Sequence, residues 1–498
     1  MPVFAITGAA TRDRVCAAID AHARSAGLVR QQDSLDIRHD ADALLTTWTS
    51  SHGHLVELTV VFGSPTPRAL QPATPTARVF TALIRSSDFD LGAGMAAMLE
   101  QLDGCFASEE QRQVLSAMPV LSWAAAAFAM PTDRLRVIFR DHLVENSLGF
   151  ISALLGAGVP AADIVVLDKG DATLNRERVA MTLQSLGVEV RRLDNAAVNH
   201  TTSAAEAARA EETARFVDRF TREGHDRRQK VIIIDDGGLL ALTDAAGDPV
   251  LRERPDAAIE LTVSGLKRLA SSRLSDGLPV ANMARSDVKQ RIGYNEIADS
   301  CMRRLREALR GEKLIGMRVV SVGYGTLGAR LASSLRSLGC RVVVVDTDHL
   351  QLISAAENGF ETTPDLDEAI RTRPKLLVSS TGERIAERST LEQLPADCYL
   401  TAFATADLSA VTGVEGFGPA TVLGDGRSFN LYQFEGIPNG GYDLYRAATF
   451  IVLSRLAALV DGAEAGAAPS LALQTVNDWI RDSGVYTRYY DLYFSSAR

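Results

Sequence analysis

A short β-branched run containing Val319, Val320 and Val322 ends in Gly323-Tyr324-Gly325-Thr326-Leu327-Gly328, and no other stretch constrains the chain as strongly. An amphipathic helical pattern follows to Gly339, and a second apolar run, Val342 to Val345, ends in Asp346. This is the pattern of a βαβ unit in which each glycine has its own reason. Gly323 permits a tight turn, Gly325 lets the backbone approach a pyrophosphate, and Gly328 lets helix and strand pack closely. The helix start offers free N–H groups and positive dipole to phosphates. An acid at position 346 accepts hydrogen bonds from an adenosine ribose and repels a 2′-phosphate, so the spacing predicts NAD rather than NADP. Glycine turns between a strand and a helix also arise for packing alone. The preceding strand, the following helix and the terminal acid together favour the dinucleotide.

At 498 residues the chain is too long for one ordinary core. A formal charge of −10 supplies no basic face for nucleic acid. The five cysteines, Cys16, Cys105, Cys301, Cys340 and Cys398, are scattered without CxxC spacing, which suits neither a disulfide framework nor a zinc site; no metal is expected. The start MPVFAITGAATRDR lacks the pattern of an export signal, and the apolar stretches from Ser122 to Met130 and Ala447 to Val460 are too short or interrupted to span a bilayer. The expectation is a cytoplasmic protein with no membrane association.

Residues 1 to about 75 alternate strand-like runs, Phe4 to Thr7 and Leu55 to Phe62 among them, with polar turns. The proline-bearing segment 64–76 reads as a connector, and helical patterns follow to about Met130. His22, His39, His52 and His54 lack ligand-like companions and read as solvated. This region, 1–130, is expected to be α+β, with no assigned role.

From Arg134 the pattern turns α/β: strand LRVIF, helix 143–156, strand DIVVLD, helix 176–186, strand VEVRRL, then a helix at about 203–222. Lys230 to Ile234 reads as a buried parallel strand ending in Asp235-Asp236-Gly237-Gly238, and ligand sites in open α/β sheets lie at such strand ends. An acidic turn with a helix cap explains the same residues equally well. A long helix from Tyr294 to about Arg310 leads to the nucleotide unit, which continues through strands 376–380 and 398–403; further strands are expected at 420–423 and 427–431, and helices at 442–460 and 469–483. The fold class predicted is α/β: a doubly wound Rossmann-type domain at 311–420, an α/β substrate domain at 131–310, the N-terminal α+β region, and a segment at 421–498 returning to the substrate domain.

From about Arg134 to Leu453 the chain resembles the S-adenosylhomocysteine hydrolases. The matches are Asp235-Asp236-Gly237-Gly238, Thr262-Val263-Ser264-Gly265, Asn282…Ser286…Lys289, the Gly323 loop, Ser380-Thr381-Gly382 and Gly426-Arg427…Asn430-Leu431. In that family a tightly held NAD oxidises the substrate's 3′-hydroxyl, elimination and water addition follow, and the ketone is reduced again. The resemblance implies Lys289 as a base near the hydroxyl, its ammonium weakened by burial and by cationic NAD. Asp236, Glu260 and His142 would share the reaction pocket. Thr262, Val263, Ser264, Thr381, Gly382 and Asn430 would join Gly323, Gly325, Thr326, Leu327, Gly328 and Asp346 around NAD. A homo-oligomer, dimer or tetramer, is expected on the same ground.

The departures fall on the substrate side. Leu261 stands where the family has a second glutamate, Gly293 and Tyr294 where it has Asp-Asn, and Val144 where it has a substrate-binding threonine. Ala402-Phe403-Ala404-Thr405 and Gly436-Ile437-Pro438 replace its two histidine-bearing motifs, and the tail YTRYYDLYFSSAR only loosely resembles the family's. A site built from buried polar groups cannot lose so many and keep the same substrate. The leading expectation is an NAD-dependent enzyme acting on a secondary, ribose-type hydroxyl of a nucleoside-like small molecule. True adenosylhomocysteine hydrolysis and a non-catalytic NAD-binding regulatory or assembly protein stand as alternatives.

Overall fold

The computed structural model describes residues 1–498 except 11, 32–42, 63–77, 102–105, 107, 172, 174, 194–203, 244–247, 271, 273–275, 412–416, 419, 433, 435, 463–470 and 496–498. The connector expected at 64–76, together with His39 and Cys105, lies outside the described residues. Two compact units form, one of residues 1–117 and 175–186, the other of 118–174 and 187–498.

The first unit is built on an antiparallel sheet of five strands, β1 (Val3–Ala10), β2 (Val29–Arg30), β3 (Ala43–Thr49), β4 (Leu55–Phe62) and β5 (Arg78–Ser86), in the order β1-β5-β4-β3-β2. Val56, Leu58, Val60 and Phe62 alternate inward along β4, the period-2 pattern of a sheet with one buried face. Helices Arg12–Ser25 and Phe89–Gln101 supply Val15, Ile19, Met95 and Leu99 to the same core. Helix Arg176–Ser185 also belongs to this unit, where Arg178 pairs with Glu110 in a buried position over the ring of Phe106.

The second unit holds two six-stranded parallel sheets. One contains β6 (Leu135–Asp141), β7 (Ile164–Asp168), β8 (Glu189–Arg192), β9 (Lys230–Asp235), β10 (Ala257–Glu260) and β11 (Val280–Asn282), in the order β11-β10-β9-β6-β7-β8. The other contains β12 (Arg318–Val322), β13 (Arg341–Val345), β14 (Glu361–Thr363), β15 (Leu376–Ser379), β16 (Tyr399–Ala402) and β17 (Thr421–Val422), in the order β14-β13-β12-β15-β16-β17. Strands β6 and β9 are buried on both faces because helices cover both, as parallel sheets require; β9 is almost wholly apolar, while β6 carries Arg136 and Arg140, each held by a carboxylate. In each sheet the winding reverses once, between β6 and β9 and between β12 and β15. Crevices open at the carboxyl ends of strands at such points, and both candidate sites are found there.

Helix Tyr294–Ala308 sends Ala298, Cys301, Met302 and Leu305 into the core of the second sheet. Helix Gly440–Asp461 returns to the first sheet's half and is buried along most of its length. Its Asp443 carboxylate accepts the N–H groups of Val120 and Leu121, at 2.9 and 2.7 Å, at the start of helix Pro119–Ala127. Among the described residues no helix is long and apolar enough to cross a membrane.

One expectation fails. Residues 427–431 are not a strand: the N–H groups of Leu431 and Tyr432 turn back to Ser428 O, and Phe429 N–H alone reaches the sheet, at Ala402 O. The alternation of Phe429 with Leu431 reflects their separate burial in a turn. The tail also forms a helix, Val485–Tyr493, that the sequence pattern did not single out.

Candidate active site

At the β12/β15 switch point the three glycines are distinguishable by their surroundings. Gly323 sits at φ +90°, and a Cβ there would lie 3.0 Å from Thr381 Cγ2. At Gly328 a Cβ would lie 2.1 Å from Gly323 O, so only glycine lets helix Thr326–Ser337 close on the turn. At Gly325 a Cβ would meet nothing within 4 Å, and the helix start carries no side-chain cap. Its first N–H groups therefore face open space, which fits a pyrophosphate. Asp346 braces the loop, Oδ2 accepting Tyr324 N–H at 2.7 Å and Oδ1 accepting Asp348 N–H at 2.9 Å. Each oxygen keeps acceptor capacity for a ribose hydroxyl.

Thr381 and Gly382 stand across from this loop, held by Asp407. Its Oδ1 accepts Gly382 N–H at 2.7 Å, Thr381 Oγ1 at 2.9 Å and Thr381 N–H at 3.2 Å, while burial pushes the carboxyl up to about 6. Leu327 packs on the sheet's core. Thr326 Oγ1 donates to Gln290 Oε1 at 3.0 Å, and Arg330 Nη2 donates to Gln290 O at 2.7 Å. The helix that opens at the glycine loop is thus tied directly to the residue beside Lys289.

Lys289 begins a π-helical turn, Lys289–Gly293. Its stem folds back over Gly293, where a Cβ would lie 3.0 Å from Lys289 Cδ, and its ammonium lies 4.4 Å from the centroid of the Tyr445 ring. Burial lowers the Lys289 pKa, against the pull of Asp236 and Asp141 in the other direction. The Tyr445 hydroxyl is buried and has no hydrogen-bond partner among the described residues.

The charged residues around Lys289 come from the ends of β6, β7, β9 and β10. Asp141 Oδ2 pairs with Arg446 Nη1 at 2.7 Å, and Arg446 also reaches Asn146 Oδ1 and Ser147 Oγ, so the long C-terminal helix is bolted to the end of β6. His142 Nδ1 lies 2.5 Å from Asp171 Oδ2, and its Nε2 lies 3.8 Å from Asp236 Oδ2. Asp236 Oδ1 pairs with Lys169 Nζ. Burial opposes ionisation of Asp236, but Lys169 and His142 outweigh it and hold the carboxyl far below the usual range. Burial likewise opposes a charged His142, and Lys169 with it, yet Asp171 and Asp236 prevail and raise its pKa. Glu260 accepts the N–H groups of Gly237, Gly238 and Thr262 and the hydroxyl of Thr262, while burial and the nearby Asp235 raise its pKa.

Residues 295–410 match the family model described as the NAD-binding domain of S-adenosyl-L-homocysteine hydrolase. The chain is 24% identical over 352 residues to an adenosylhomocysteinase from Gloeobacter violaceus, covering 66% of this chain and 77% of that protein. It is 27% identical over 275 residues to an S-inosyl-L-homocysteine hydrolase from Methanopyrus kandleri, covering 54% of this chain and 58% of the relative. The chain is thus distantly similar to the S-adenosylhomocysteine hydrolases, most specifically in its nucleotide domain. Its nucleotide domain is an NAD-binding one. Among solved structures, a dipicolinate synthase from Bacillus halodurans aligns over 66% of this chain and 99% of its own at 14% identity, with a TM-score of 0.36. A putative D-3-phosphoglycerate dehydrogenase from Ralstonia solanacearum aligns over 63% and 97%, at 14% identity and a TM-score of 0.34. Both likenesses are too distant to bear on function.

Against the positions carried over from the hydrolase family, the structure gathers Gly323, Gly325, Thr326, Leu327, Gly328, Asp346, Thr381 and Gly382 at one switch point. It gathers His142, Asp236, Glu260 and Lys289 around the other. Thr262 caps helix Val263–Leu269, its Oγ1 accepting Gly265 N–H at 3.0 Å and donating to Glu260, so its hydroxyl is already engaged. Val263 is half-buried and Ser264 exposed at the same helix start; Lys267 one turn on reaches Glu383 beyond Gly382, at 2.9 Å. Asn430 Oδ1 accepts Ser428 Oγ at 2.5 Å within the turn at 428–432.

Sequence reasoning passed over Asp141, Lys169, Asp171, Tyr445 and Arg446. For Lys169 and Asp171 a signal was present, since Asp168-Lys169-Gly170-Asp171 follows an apolar parallel strand just as Asp235-Asp236 does. Asp141, His142 and Asp236 offer ligand atoms within 4.8 Å of one another, a spacing open to a metal ion. Both carboxylates are already ion-paired, to Arg446 and Lys169.

Proposed function

We propose that this protein is an NAD-dependent enzyme that reversibly oxidises a secondary, ribose-type hydroxyl, with Lys289 as the base and a nucleoside-like small molecule as substrate. The observation that carries the reading is the position of Lys289. Its neighbour Gln290 is hydrogen-bonded to the helix at the glycine loop, while its own ammonium stands among the buried charges at the β6/β9 crevice. Bound NAD supplies the hydride acceptor. Lys289 in its amine form takes the hydroxyl proton, and burial favours that form. Asp236, held as a carboxylate by Lys169, accepts a hydrogen bond and keeps the lysine near the substrate oxygen. Glu260, Asp235 and Arg140 form the wall behind it, with Arg140 Nη1 3.1 Å from Asp235 Oδ1.

A nucleoside-like substrate is supported by the two relatives, whose names specify adenosyl and inosyl homocysteine and so differ in the base. The altered substrate-side residues favour a molecule other than S-adenosylhomocysteine. Self-assembly into dimers or tetramers is part of the same proposal, and light scattering of the purified chain tests it.

The deciding experiment denatures the purified protein, quantifies released NAD⁺ and NADH, and repeats this with Lys289→Ala after incubation with a panel of nucleosides. Near-stoichiometric nucleotide that a nucleoside reduces in the parent but not in the variant supports the proposal. Full oxidation throughout, with every nucleoside, sinks it and leaves a non-catalytic NAD binder. Release of homocysteine from S-adenosylhomocysteine at a turnover rate would replace it with true hydrolase activity.

A further inference from the structure

Lys169 and Asp171 flank Gly170, at φ +71°, just past the end of β7, with side chains only 3% and 2% exposed. No match to the hydrolase motifs assigns either of them a role. Each is committed to a different member of the site: Lys169 Nζ to Asp236 Oδ1, and Asp171 Oδ2 to His142 Nδ1 at 2.5 Å. The four residues make an open chain, Asp171–His142 and Asp236–Lys169, whose inner ends, His142 Nε2 and Asp236 Oδ2, stand 3.8 Å apart. That separation is too long for a direct hydrogen bond, and one oxygen at about 2.8 Å from each atom would close it.

We propose that Lys169 and Asp171 are positioning residues that set His142 Nε2–H as a donor beside Asp236 as an acceptor, forming a notch for a substrate hydroxyl. A hydroxyl both accepts and donates, so it satisfies the two inner atoms at once; a carbonyl or ether oxygen satisfies only the first. The inference rests on reading this crevice as the substrate side of the proposed enzyme. The carboxylate of Asp171 accepts from Nδ1–H, and in the imidazolium form, which carries a proton on each nitrogen, Nε2–H is left to donate into the notch. Lys169 keeps Asp236 ionised, and so an acceptor only. The charged groups facing the imidazole are Lys169 and Asp171 from the β7 end, Asp236 from the β9 end and Asp141 beside it in sequence. Phe434 meets its ring edge-on at 6.2 Å. The balance of those charges keeps the imidazole protonated above the ordinary histidine range, in the direction the notch requires.

The test is nitrogen NMR of the full chain carrying isotope-labelled histidine, with the His142 signals assigned from His142→Gln. In the parent, Nδ1 should carry a proton throughout the titration, and the midpoint should lie above 6.5, the ordinary histidine value. Asp171→Asn, which keeps an acceptor but drops the charge, should lower the midpoint by about one pH unit or more. Lys169→Met should move it upward. A merely structural role would change the unfolding temperature of the variants and leave the His142 titration where it was, and that result overturns the inference. So does a parent spectrum with the proton on Nε2 alone at high pH, which needs no variant to fold. NAD content and nucleoside-driven reduction, measured on the same preparations, report on Lys289. Failure of the proposed activity would therefore be told apart from failure of the notch.

Discussion

The two crevices of the second unit are built from different materials. At the β12/β15 switch point the shape is made by backbone: three glycines, an uncapped helix start, and carboxylates of Asp346 and Asp407 that hold loops through N–H groups. At the β6/β9 switch point it is made by side chains: Lys169 with Asp236, His142 with Asp171 and Asp141 with Arg446 pair across three strand ends and a helix, with the Lys289 ammonium among them. A backbone-made site depends on a few small residues at fixed local spacing and stays recognisable as the rest of a sequence changes. A side-chain-made site can exchange its members in groups, provided each buried charge keeps a partner. That contrast fits a glycine loop that keeps the family's spacing, inside the matched nucleotide domain at 295–410, beside strand ends whose charged groups pair with one another across long stretches of sequence.

The contrast can be broken at several points. Asp236→Ala should cost the most, about 3–5 kcal/mol of unfolding free energy, because it removes the carboxylate paired with the buried Lys169 ammonium. Denaturant unfolding measures it, and a loss below about 1 kcal/mol would mean that the charges do not depend on one another. Asp407→Asn tests the other half. All three hydrogen bonds given to this carboxyl fall on Oδ1, which an amide oxygen can keep. The folded carboxyl titrates near 6, above its ordinary 3.8, so it supports the fold most fully below pH 3.8 and loses that support as pH rises to about 6. The variant should match the parent near pH 4 and exceed it by up to about 3 kcal/mol at pH 7. Equal stability of the two at both pH values would show the carboxyl to be ordinary.

Gly328→Ala sharpens the backbone side. Its Cβ would force the loop away from Gly323 O, and calorimetric titration with NAD should show at least about a hundredfold weaker binding, or about 2.7 kcal/mol. Unchanged affinity would mean the loop is a packing turn. The smallest effect belongs to Lys267→Ala, which removes the exposed ion pair to Glu383 and should change stability by less than about 0.5 kcal/mol. A larger loss would make that pair a strut between the two sheets' loops.

The same contrast governs what the sequence disclosed. The Gly323 loop, β12, β13 and Asp346 were legible because all their determinants lie within thirty residues and each glycine answers a local steric demand. Parallel strands β6 and β9 were legible as largely apolar runs, and for β9 the acids at its end were legible as well. Lys169 and Asp171 were not, because their partners lie 67 and 29 residues away and a charged pair after a strand is equally a solvated turn. Arg446 was hidden in a helical pattern whose meaning depends on Asp141, 305 residues earlier. The turn at 427–431 was misread as a strand because alternating Phe429 and Leu431 imitate a pleat, though one is fixed by Ala402 O and the other by Ser428 O.

Gly293 couples two positions of the crevice. A Cβ there would lie 3.0 Å from Lys289 Cδ, so any side chain at 293 requires the lysine stem to give by a few tenths of an ångström. The neighbouring residue, Gln290, is meanwhile fastened to Thr326 and Arg330 at the glycine-loop helix. The size of residue 293 therefore acts as a fine adjustment on where the ammonium stands, set against a backbone that is anchored to the nucleotide half.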